Sequence, residues 1–417
     1  MEALLVSPYE VDFQPLGISG ASAHIKAYDS ILDVTAIDAT RQAIDYGECE
    51  RVDVLFISIP VFGSIAEGVN IARRMRGQGF KGPAVFYNQY ATVHPQNYFL
   101  DDESYVVLGE FEETLCAVVQ ALADDRDIAS VAGVWDGKAA RPPNTFKRSK
   151  FVAPDRSSLP PLSNYCKTKD GLIIGNVETA RGCAHKCGYC SVFAAYLQRV
   201  VKIPVDVVME DIEQCVRLGA QHITFVDADW FSTGNHGTAI LQELHERFPS
   251  LPFDITARVD NLVRRKDIIP KLKALGCVEI TTALEFPKSS VLESLTKQVS
   301  VEQSELAIKL LRENDIAIKP TFINFSPYIV REDFDLFDEF ISANALDEYL
   351  DPMQRETRLL LYKGSPLLKT DFIQSIELIE HEYHYDWVHP DPRVDEYYNA
   401  IATPNSSGER KRCCIKG

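Results

Sequence analysis

The chain has 417 residues, of which 46% are hydrophobic and 25% are charged, so it can bury the cores of two domains. With 43 Lys and Arg residues against 60 Asp and Glu residues, its formal net charge is −17. This balance argues against a duplex nucleic-acid partner, because phosphate binding needs a basic surface. The sequence contains no run of about 18 apolar residues, and its cysteines do not indicate a disulfide scaffold. We therefore expect a cytoplasmic protein with a small-molecule substrate and without a membrane or nucleic-acid partner.

The first part of the chain alternates short β-branched runs with helical patterns. The runs that predict strands are 3–7, 31–37, 52–59, 84–87 and 105–108. Residues 65–78 and 111–124 have the apolar spacing of helices. Since this alternation is typical of parallel strands joined by crossover helices, we predict an α/β fold that begins with a doubly wound, Rossmann-like domain over residues 1–140.

A second alternation of the same kind follows a segment rich in Pro, Ser and Lys at 141–170, which we interpret as a linker. Its predicted strands are 172–179, 221–227, 253–258, 277–285, 316–324 and 356–362. Six βα units over residues 171–364 would build a partial barrel, and chemistry in βα barrels gathers at the carboxyl ends of the strands. Residues 365–417 then form a C-terminal extension.

Three cysteines lie directly after the first strand of this second alternation. Cys183, Cys187 and Cys190 have the spacing C-x3-C-x2-C, and the aromatic Tyr189 precedes the third. Three thiolates on one loop can hold three irons of a [4Fe–4S] cluster and leave the fourth iron without a protein ligand. The alternatives are a structural zinc site, for which only His185 is a nearby fourth ligand, or three unrelated core cysteines.

This loop, placed after the first of six βα units, resembles that of the radical SAM superfamily. The resemblance implies that Cys183, Cys187 and Cys190 hold a [4Fe–4S] cluster in a partial (β/α)6 barrel. It also implies that S-adenosyl-L-methionine (SAM) binds the open iron through its amino and carboxylate groups. A low-potential electron donor such as flavodoxin or ferredoxin is the implied protein partner.

Polar residues at the predicted strand ends are candidates for contact with SAM. They are Asp227, Asp229, Arg258, Glu285, Asn324 and Arg358. Either arginine could pair with the SAM carboxylate in a bidentate arrangement. The alternative for each of these residues is an ordinary salt bridge at the end of the barrel.

The first domain resembles the cobalamin-binding type that precedes many radical SAM cores, but it departs from that type at two places. The stretch 7–17 lacks the histidine that serves other such domains as an axial ligand. At 86–92, where the family has a Gly-Gly-Pro-His-type turn, this chain has Tyr87 and Tyr90, which would fill the room that glycines leave for a ligand. We therefore favour a structural or docking role for this domain over cobalamin binding, which these departures do not exclude.

The end of the chain carries two adjacent cysteines, Cys413 and Cys414, behind the basic run 410–412. A disulfide between neighbours is strained, whereas two adjacent thiolates suit a soft, thiophilic centre. The alternative is a tail in which the cysteines are incidental. His381, His384 and His389 form a second group that could bind a metal, although solvated surface histidines are the simpler interpretation.

The terminal run Arg412-Cys-Cys-Ile-Lys-Gly417, behind a radical SAM core, resembles the arsinothricin-pathway radical SAM enzymes, whose motif is Arg-Cys-Cys-Leu-Lys-Cys. This resemblance implies transfer of the 3-amino-3-carboxypropyl group of SAM to trivalent arsenic, giving hydroxyarsinothricin. Cys413 and Cys414 would then act in catalysis by holding arsenite, with a hydroxide or another cysteine as third ligand because Gly417 replaces the last cysteine.

Two other functions remain open from the sequence. One is cobalamin-dependent C-methylation, or a reaction of the 5′-deoxyadenosyl radical, on a natural-product precursor, which the domain order favours. The other is a non-catalytic redox or arsenite sensor that carries a cluster. A barrel with an open iron argues against a sensor, because sensing does not need one.

Overall fold

The computed structural model describes residues 1–28 and 33–402. Within these residues it has two compact units. The first contains residues 1–182 and 195–224, and the second contains residues 183–194 and 225–402. None of the described helices is long and apolar enough to cross a membrane.

The first unit begins with a six-stranded sheet of order β2-β1-β3-β4-β5-β6. Its elements are β1 (Glu2–Ser7), α1 (Leu16–Tyr28), β2 (Asp33–Asp38), β3 (Val54–Ser58), α2 (Ser64–Gly77), β4 (Ala84–Tyr87), α3 (Gln89–Val93), β5 (Ser104–Val107), α4 (Glu112–Ala123) and β6 (Val134–Trp135). The first five strands are parallel, and β6 runs antiparallel to β5. β3 is buried at all its residues because helices cover both faces of the sheet. The order 2-1-3-4-5 is that of a flavodoxin-like doubly wound fold, whose ligand crevice lies at the carboxyl ends of β1 and β3.

The next elements continue the βα alternation. They are β7 (Ile174–Val177), β8 (Ala180–Gly182), α5 (Ser191–Tyr196), β9 (Val200–Lys202), α6 (Val205–Arg217) and β10 (His222–Phe225). β7 and β10 are neighbouring strands. β8 ends directly before the cysteine loop and pairs antiparallel with β9, which follows the loop.

The second unit contains three parallel strands in the order β11-β12-β13. Its elements are α7 (His236–Arg247), β11 (Phe253–Thr256), α8 (Val259–Arg264), α9 (Ile269–Ala274), β12 (Cys277–Glu285), α10 (Ser289–Ser294), α11 (Val301–Glu313), β13 (Ala317–Phe322), α12 (Asp333–Ala343), α13 (Pro352–Arg355), β14 (Leu361–Tyr362), α14 (Asp371–Ser375), β15 (Leu378–Glu380), β16 (His384–Trp387) and α15 (Pro392–Ile401). Short 3-10 helices lie at Tyr46–Arg51, Pro95–Tyr98, Ile128–Ser130, Leu162–Asn164, Trp230–Thr233, Lys266–Ile268 and Pro366–Lys369.

The sixth predicted barrel strand, 356–362, does not form one continuous strand, because its two parts pair with different segments. Arg358 makes an isolated parallel bridge to Phe325, whereas β14 pairs antiparallel with β16 in a small sheet of order β14-β16-β15. The C-terminal extension therefore supplies the strand next to β14, a long-range pairing that the apolar pattern of 356–362 does not reveal.

Tyr87 lies in the core of the first unit. Its side chain is fully buried, its hydroxyl donates to the carbonyl of Gly17 at 3.1 Å, and its ring centroid lies 4.8 Å from that of Phe111. A Cβ on Gly17 would stand 2.4 Å from the Ser58 Oγ, so α1 packs directly against the end of β3. Tyr87 thus takes the space between β4 and α1.

The segment predicted as a linker packs along the carboxyl edge of the first sheet. The Thr145 amide donates to the Leu108 carbonyl at 2.8 Å, and the Glu110 amide donates to the Thr145 carbonyl at 2.7 Å. Farther along, the Tyr165 hydroxyl donates to Asp38 Oδ2 at 2.9 Å. The predicted domain bounds stay a prediction, but residues of this segment belong to the packed part of the first unit.

The same segment carries a buried arginine that connects several elements of the first unit. Arg156 donates to both oxygens of Asp211 on α6, at 2.7 and 2.9 Å, and to Gln14 Oε1 at 2.8 Å. The Asn176 amide group in β7 donates to the Gln14 carbonyl at 3.0 Å. Because both ions of this pair are buried, removing either one would leave an uncompensated charge.

Two glycines with similar positive φ but different surroundings test the packing of this segment. Gly109 and Gly171 have φ of +92° and +81°; a Cβ on Gly109 would meet the Thr145 carbonyl oxygen at 2.0 Å, whereas one on Gly171 would meet nothing within 4 Å. We expect Gly171→Ala to cost only the left-handed backbone strain of about 1–2 kcal/mol. Gly109→Ala should cost a further ~1–3 kcal/mol because the segment must move. The midpoint of urea unfolding measures both, and equal shifts would contradict the close packing.

Candidate active site

The cysteine loop turns sharply between its second and third cysteines. The Cys190 amide donates to the Cys187 carbonyl at 3.2 Å, and the Gly188 amide donates to the Leu295 carbonyl at 3.1 Å. Burial raises the pKa of Cys190 to about 11, and the negative charges of Cys187 and Cys183 add to this shift. The three thiols therefore lie close enough to affect one another in a largely buried place.

Asp229 fixes the beginning of the loop. Its Oδ2 accepts from Ser232 Oγ and from Asn261 Nδ2, both at 2.8 Å, and lies 3.6 Å from His185 Nε2. Although burial alone would raise its pKa, hydrogen bonds from His185 and from the backbone amide of Arg258 lower the pKa of Asp229 below the ordinary value. The Ser232 Oγ in turn lies 3.8 Å from the Cys183 Sγ. This aspartate, predicted to contact SAM, thus anchors the loop through its neighbours.

Arg258 contacts the second cysteine. Its Nη1 donates to Cys187 Sγ at 2.9 Å, Nη2 donates to the Lys297 carbonyl at 2.7 Å, and Nε donates to Asp260 Oδ1 at 2.9 Å. The side chain is 7% exposed. All three nitrogens of the guanidinium group are thus engaged within the protein, and the one nearest the loop faces sulfur.

A buried network of three side chains surrounds the aromatic position of the loop. Lys297 Nζ donates to Glu285 Oε1 at 2.6 Å and to the Tyr189 hydroxyl at 3.1 Å, while that hydroxyl donates to Glu285. Glu285 ends β12 with φ of +60°, a left-handed conformation that accompanies a register shift in its pairing with β13. The carboxylate and the ammonium are 4% and 3% exposed, so each is the main compensation for the other's burial.

The other candidates at strand ends have different surroundings. Asp227 and Asn324 are buried, and Asn324 Nδ2 donates to the Arg355 carbonyl at 2.9 Å. Arg358 donates to Asp395 Oδ1 at 2.8 Å and to the Trp387 carbonyl at 2.6 Å, with its guanidinium carbon 3.6 Å from the Trp387 ring centroid. Of the six candidates, Asp229, Arg258 and Glu285 contact the cysteine loop or its neighbours, whereas Arg358 secures the C-terminal sheet.

Arg181 precedes the loop by two residues and is held by acids of the first unit. Its Nη2 lies 2.7 Å from Glu112 Oε1 and its Nε lies 2.7 Å from Glu178 Oε2. Burial would raise the pKa of Glu112, but Arg181 and Arg148 together lower it below its ordinary range. Arg181 is thus held by two carboxylates within the first unit.

Sequence reasoning missed three polar residues that the structure brings to the loop, Ser232, Asn261 and Lys297. It also did not predict that His185, within the loop, lies beside Asp229. Asn261 follows Arg258 by three residues at the start of α8, a spacing that places both on one side of the helix. Lys297 has no such signal, because nothing in its local sequence distinguishes a buried lysine from an exposed one.

The catalytic residues predicted at the tail, Cys413 and Cys414, lie outside the described residues.

Residues 177–341 match the family model of the radical SAM superfamily. The matched segment contains the cysteine loop and the residues that surround it. Over these residues the chain is similar to a radical SAM domain. A radical SAM domain works with a [4Fe–4S] cluster and SAM, in agreement with the cofactors expected from the cysteine spacing.

Among curated proteins, the chain is similar to the anaerobic magnesium-protoporphyrin IX monomethyl ester cyclase of Rubrivivax gelatinosus. The two are 27% identical over 233 residues, which is 52% of this chain and 41% of the cyclase. The chain spans between 37% and 53% of the length of this and two further curated relatives.

Two solved structures resemble the chain over nearly its whole length. The radical SAM methyltransferase TsrM of Kitasatospora setae has a TM-score of 0.70 at 18% identity, covering 99% of this chain and 85% of TsrM. The cobalamin-dependent SAM radical enzyme OxsB has a TM-score of 0.73 at 15% identity, covering 96% of this chain and 66% of OxsB. These similarities confirm the predicted fold class, a Rossmann-like sheet followed by a radical SAM domain.

The similarities support the superfamily but not the narrower resemblance to the arsinothricin-pathway enzymes. They also give no support to the expectation that cobalamin binding is unlikely, because both solved proteins have been described with it.

The Lys297–Glu285 pair can be tested by removing the cation. In Lys297→Met the buried Glu285 loses its ammonium partner, so we expect a destabilisation of about 3–5 kcal/mol. Lys309→Met is the matched control, because Lys309 and Glu313 form a pair that is 70% and 56% exposed and should contribute less than about 1 kcal/mol. Midpoints of urea unfolding measure the difference, and similar values for both variants would contradict a buried network.

Proposed function

We propose that this protein is a radical SAM transferase that binds SAM at a [4Fe–4S] cluster held by Cys183, Cys187 and Cys190 and transfers a carbon group of SAM to an acceptor. The observation that carries the proposal is the buried cysteine loop, with the Arg258 guanidinium 2.9 Å from the Cys187 sulfur. The similarity in fold to TsrM and OxsB supports it.

The donor set fits this cluster better than it fits zinc. Cys183, His185 and Asp229 have ligand atoms within 4.8 Å of one another, which is the alternative zinc arrangement. Asp229, however, is already engaged by Ser232 and Asn261, and a zinc ion there would leave the thiols of Cys187 and Cys190 without a role. Three sulfur donors from one loop match a cluster with one iron open to SAM. When bound, the cluster supplies the electron that cleaves a carbon–sulfur bond of SAM.

The surrounding residues orient the loop before any ligand arrives. The Asp229 carboxylate holds the Cys183 end of the loop through Ser232. At the other end, the hydroxyl of Tyr189, the residue before Cys190, is hydrogen-bonded to Glu285 and Lys297. Arg258 places a cation beside Cys187, which offsets the negative charge of thiolates in a buried environment. Such preorganisation is the protein's contribution to a reaction whose chemistry belongs to the cofactor.

Methyl or alkyl transfer with cobalamin is the first candidate reaction, because TsrM is a methyltransferase described with cobalamin and OxsB is cobalamin-dependent. The sheet order of the first unit provides a ligand crevice at β1 and β3. The described stretch 7–17, which follows β1, has no histidine that could ligate cobalt, and Tyr87 fills the space beside α1. No step of this proposal therefore depends on a protein ligand to cobalt.

Transfer of the 3-amino-3-carboxypropyl group to arsenite is the second candidate. The adjacent thiols of Cys413 and Cys414 favour it, because trivalent arsenic is thiophilic. Thiolates would hold arsenic close to the reacting carbon, which is a proximity effect. Cleavage of the bond between sulfur and the aminocarboxypropyl carbon would leave 5′-methylthioadenosine.

The nucleoside released from SAM distinguishes the reactions. The reconstituted, reduced protein is incubated with SAM, with and without hydroxocobalamin and arsenite, and the products are identified by mass spectrometry. S-adenosylhomocysteine that depends on cobalamin supports methyl transfer, and methylthioadenosine that depends on arsenite supports the second candidate. 5′-Deoxyadenosine alone would show hydrogen abstraction instead of transfer, and no nucleoside under any condition would contradict the proposal.

The tail cysteines are tested separately by binding. We expect the double change Cys413→Ser and Cys414→Ser to abolish arsenite binding measured by equilibrium dialysis, because the adjacent thiols are lost. Cys166→Ser, at a partly buried position in the first unit, is the control and should leave binding unchanged. Unchanged binding in the double variant would remove the basis of the arsenite candidate.

The contact between Arg258 and Cys187 predicts an effect on the cluster itself. A cation and an N–H donor beside a cluster sulfur stabilise the more negative, reduced state, so Arg258→Met should make the midpoint potential more negative. Arg265→Met removes a charge at the end of the same helix, where the guanidinium packs on Phe231, and should have a smaller effect. A redox titration followed by electron paramagnetic resonance measures both, and equal potentials would contradict ligation by Cys187.

A further inference from the structure

The C-terminal extension forms a tight hairpin whose turn carries two histidines. β15 and β16 pair antiparallel with Ile379 opposite Asp386, and the His381 amide donates to the His384 carbonyl at 2.9 Å. Side chains two residues apart on a strand point to the same face, so His384 and Asp386 share one face of β16. His381 follows Ile379, the residue opposite Asp386, by two positions, so its side chain lies on that same face.

The three side chains present their ligand atoms to one another. The imidazole rings of His381 and His384 are stacked, with centroids 4.6 Å apart and planes 7° apart. His381 Nε2 lies 3.0 Å from Asp386 Oδ2, and His384 Nε2 lies 3.8 Å from Asp386 Oδ1. In a tetrahedral zinc site with bonds of about 2.0–2.2 Å, ligand atoms stand about 3.3 Å apart. The two observed separations bracket this value, and the ligand atoms of all three side chains lie within 4.8 Å of one another.

The local charge and exposure also suit a cation. The segment 377–386 contains Glu377, Glu380, Glu382 and Asp386, and Lys363 Nζ lies 2.8 Å from Glu380 Oε1. The side chains of His381, His384 and Asp386 are 41%, 15% and 27% exposed, so an ion can reach them and keep water on its remaining positions.

His389, the third histidine of the group noted in the sequence, is not part of this arrangement. It is buried, and its Nδ1 accepts from the Asp391 amide at 2.8 Å. This nitrogen therefore stabilises the turn that leads into α15. His389 thus has a structural role, unlike the two histidines on the hairpin.

We propose that His381, His384 and Asp386 bind a divalent transition-metal ion, with Zn²⁺ as the fitting representative, at a second metal site separate from the cysteine loop. Two imidazoles and one carboxylate form a borderline donor set that suits Zn²⁺, Co²⁺, Ni²⁺ or Fe²⁺ and leaves coordination positions open. The ion clamps the turn between β15 and β16, and its open positions accept water or an anionic ligand from solution.

Zinc binding to the full-length protein tests this site. After anaerobic reconstitution of the iron–sulfur cluster and removal of excess metal, Zn²⁺ is titrated by calorimetry and retained zinc is measured by mass spectrometry. We expect the double change His381→Ala and His384→Ala to lower the zinc content by one ion per chain. It should weaken zinc affinity by more than ~100-fold, because loss of a residue that only hydrogen-bonds to a metal ligand weakens the affinity by up to that factor. Since cysteines also bind zinc, the zinc content and affinity of each variant are compared with those of the unchanged protein.

Two further variants keep the test decisive. Asp386→Asn retains the size of the side chain and should weaken zinc binding without unfolding the hairpin, which circular dichroism and iron content verify. His245→Ala removes a histidine on α7 and should leave the zinc content unchanged. Equal zinc content and affinity in the hairpin variants and the unchanged protein would overturn the proposal. This outcome is independent of the radical SAM reaction, since the iron content reports on the cysteine loop separately.

Discussion

Compensation of buried charge around one short loop is the constraint on which the site depends. Three thiols placed close together repel one another once they ionise, and burial makes that ionisation more costly. The Arg258 guanidinium offsets this cost at Cys187. Hydrogen bonds to Asp229 hold the Cys183 end of the loop. Arg258, Asp229 and Lys297, which hold the loop through these contacts, come from different parts of the second unit.

The same principle operates before the loop, within the first unit. Arg181 is surrounded by Glu112 and Glu178, and a second arginine, Arg148, lies 3.4 Å from Glu112. An arginine held by carboxylates from different elements has little freedom to change its rotamer, since each carboxylate restrains a different nitrogen. The strand that leads into the cysteines is therefore fixed by electrostatics as well as by its pairing with β9.

The sequence predicts the strands and the cysteine loop well for physical reasons. Parallel strands covered on both faces need continuous apolar runs, which are visible locally in β1, β3 and β4, and cluster-type cysteine spacing is a short-range pattern. Partners that depend on distant segments could not be predicted. Arg358 was a candidate for SAM contact, but its partners Trp387 and Asp395 come from the extension. Lys297 was missed because its burial is decided by Glu285 and Tyr189, which only the folded chain brings together.

The packed segment at 141–166 has a consequence for how freely this chain can be divided. A fragment that began after residue 170 would retain Asp211 on α6 but lose Arg156, its bidentate partner. A fragment that ended before residue 141 would retain the first sheet but lose Thr145, and would expose the edge that Thr145 now covers. The two halves are thus not interchangeable modules, and a fusion or exchange at this segment would have to preserve the arginine and its aspartate together.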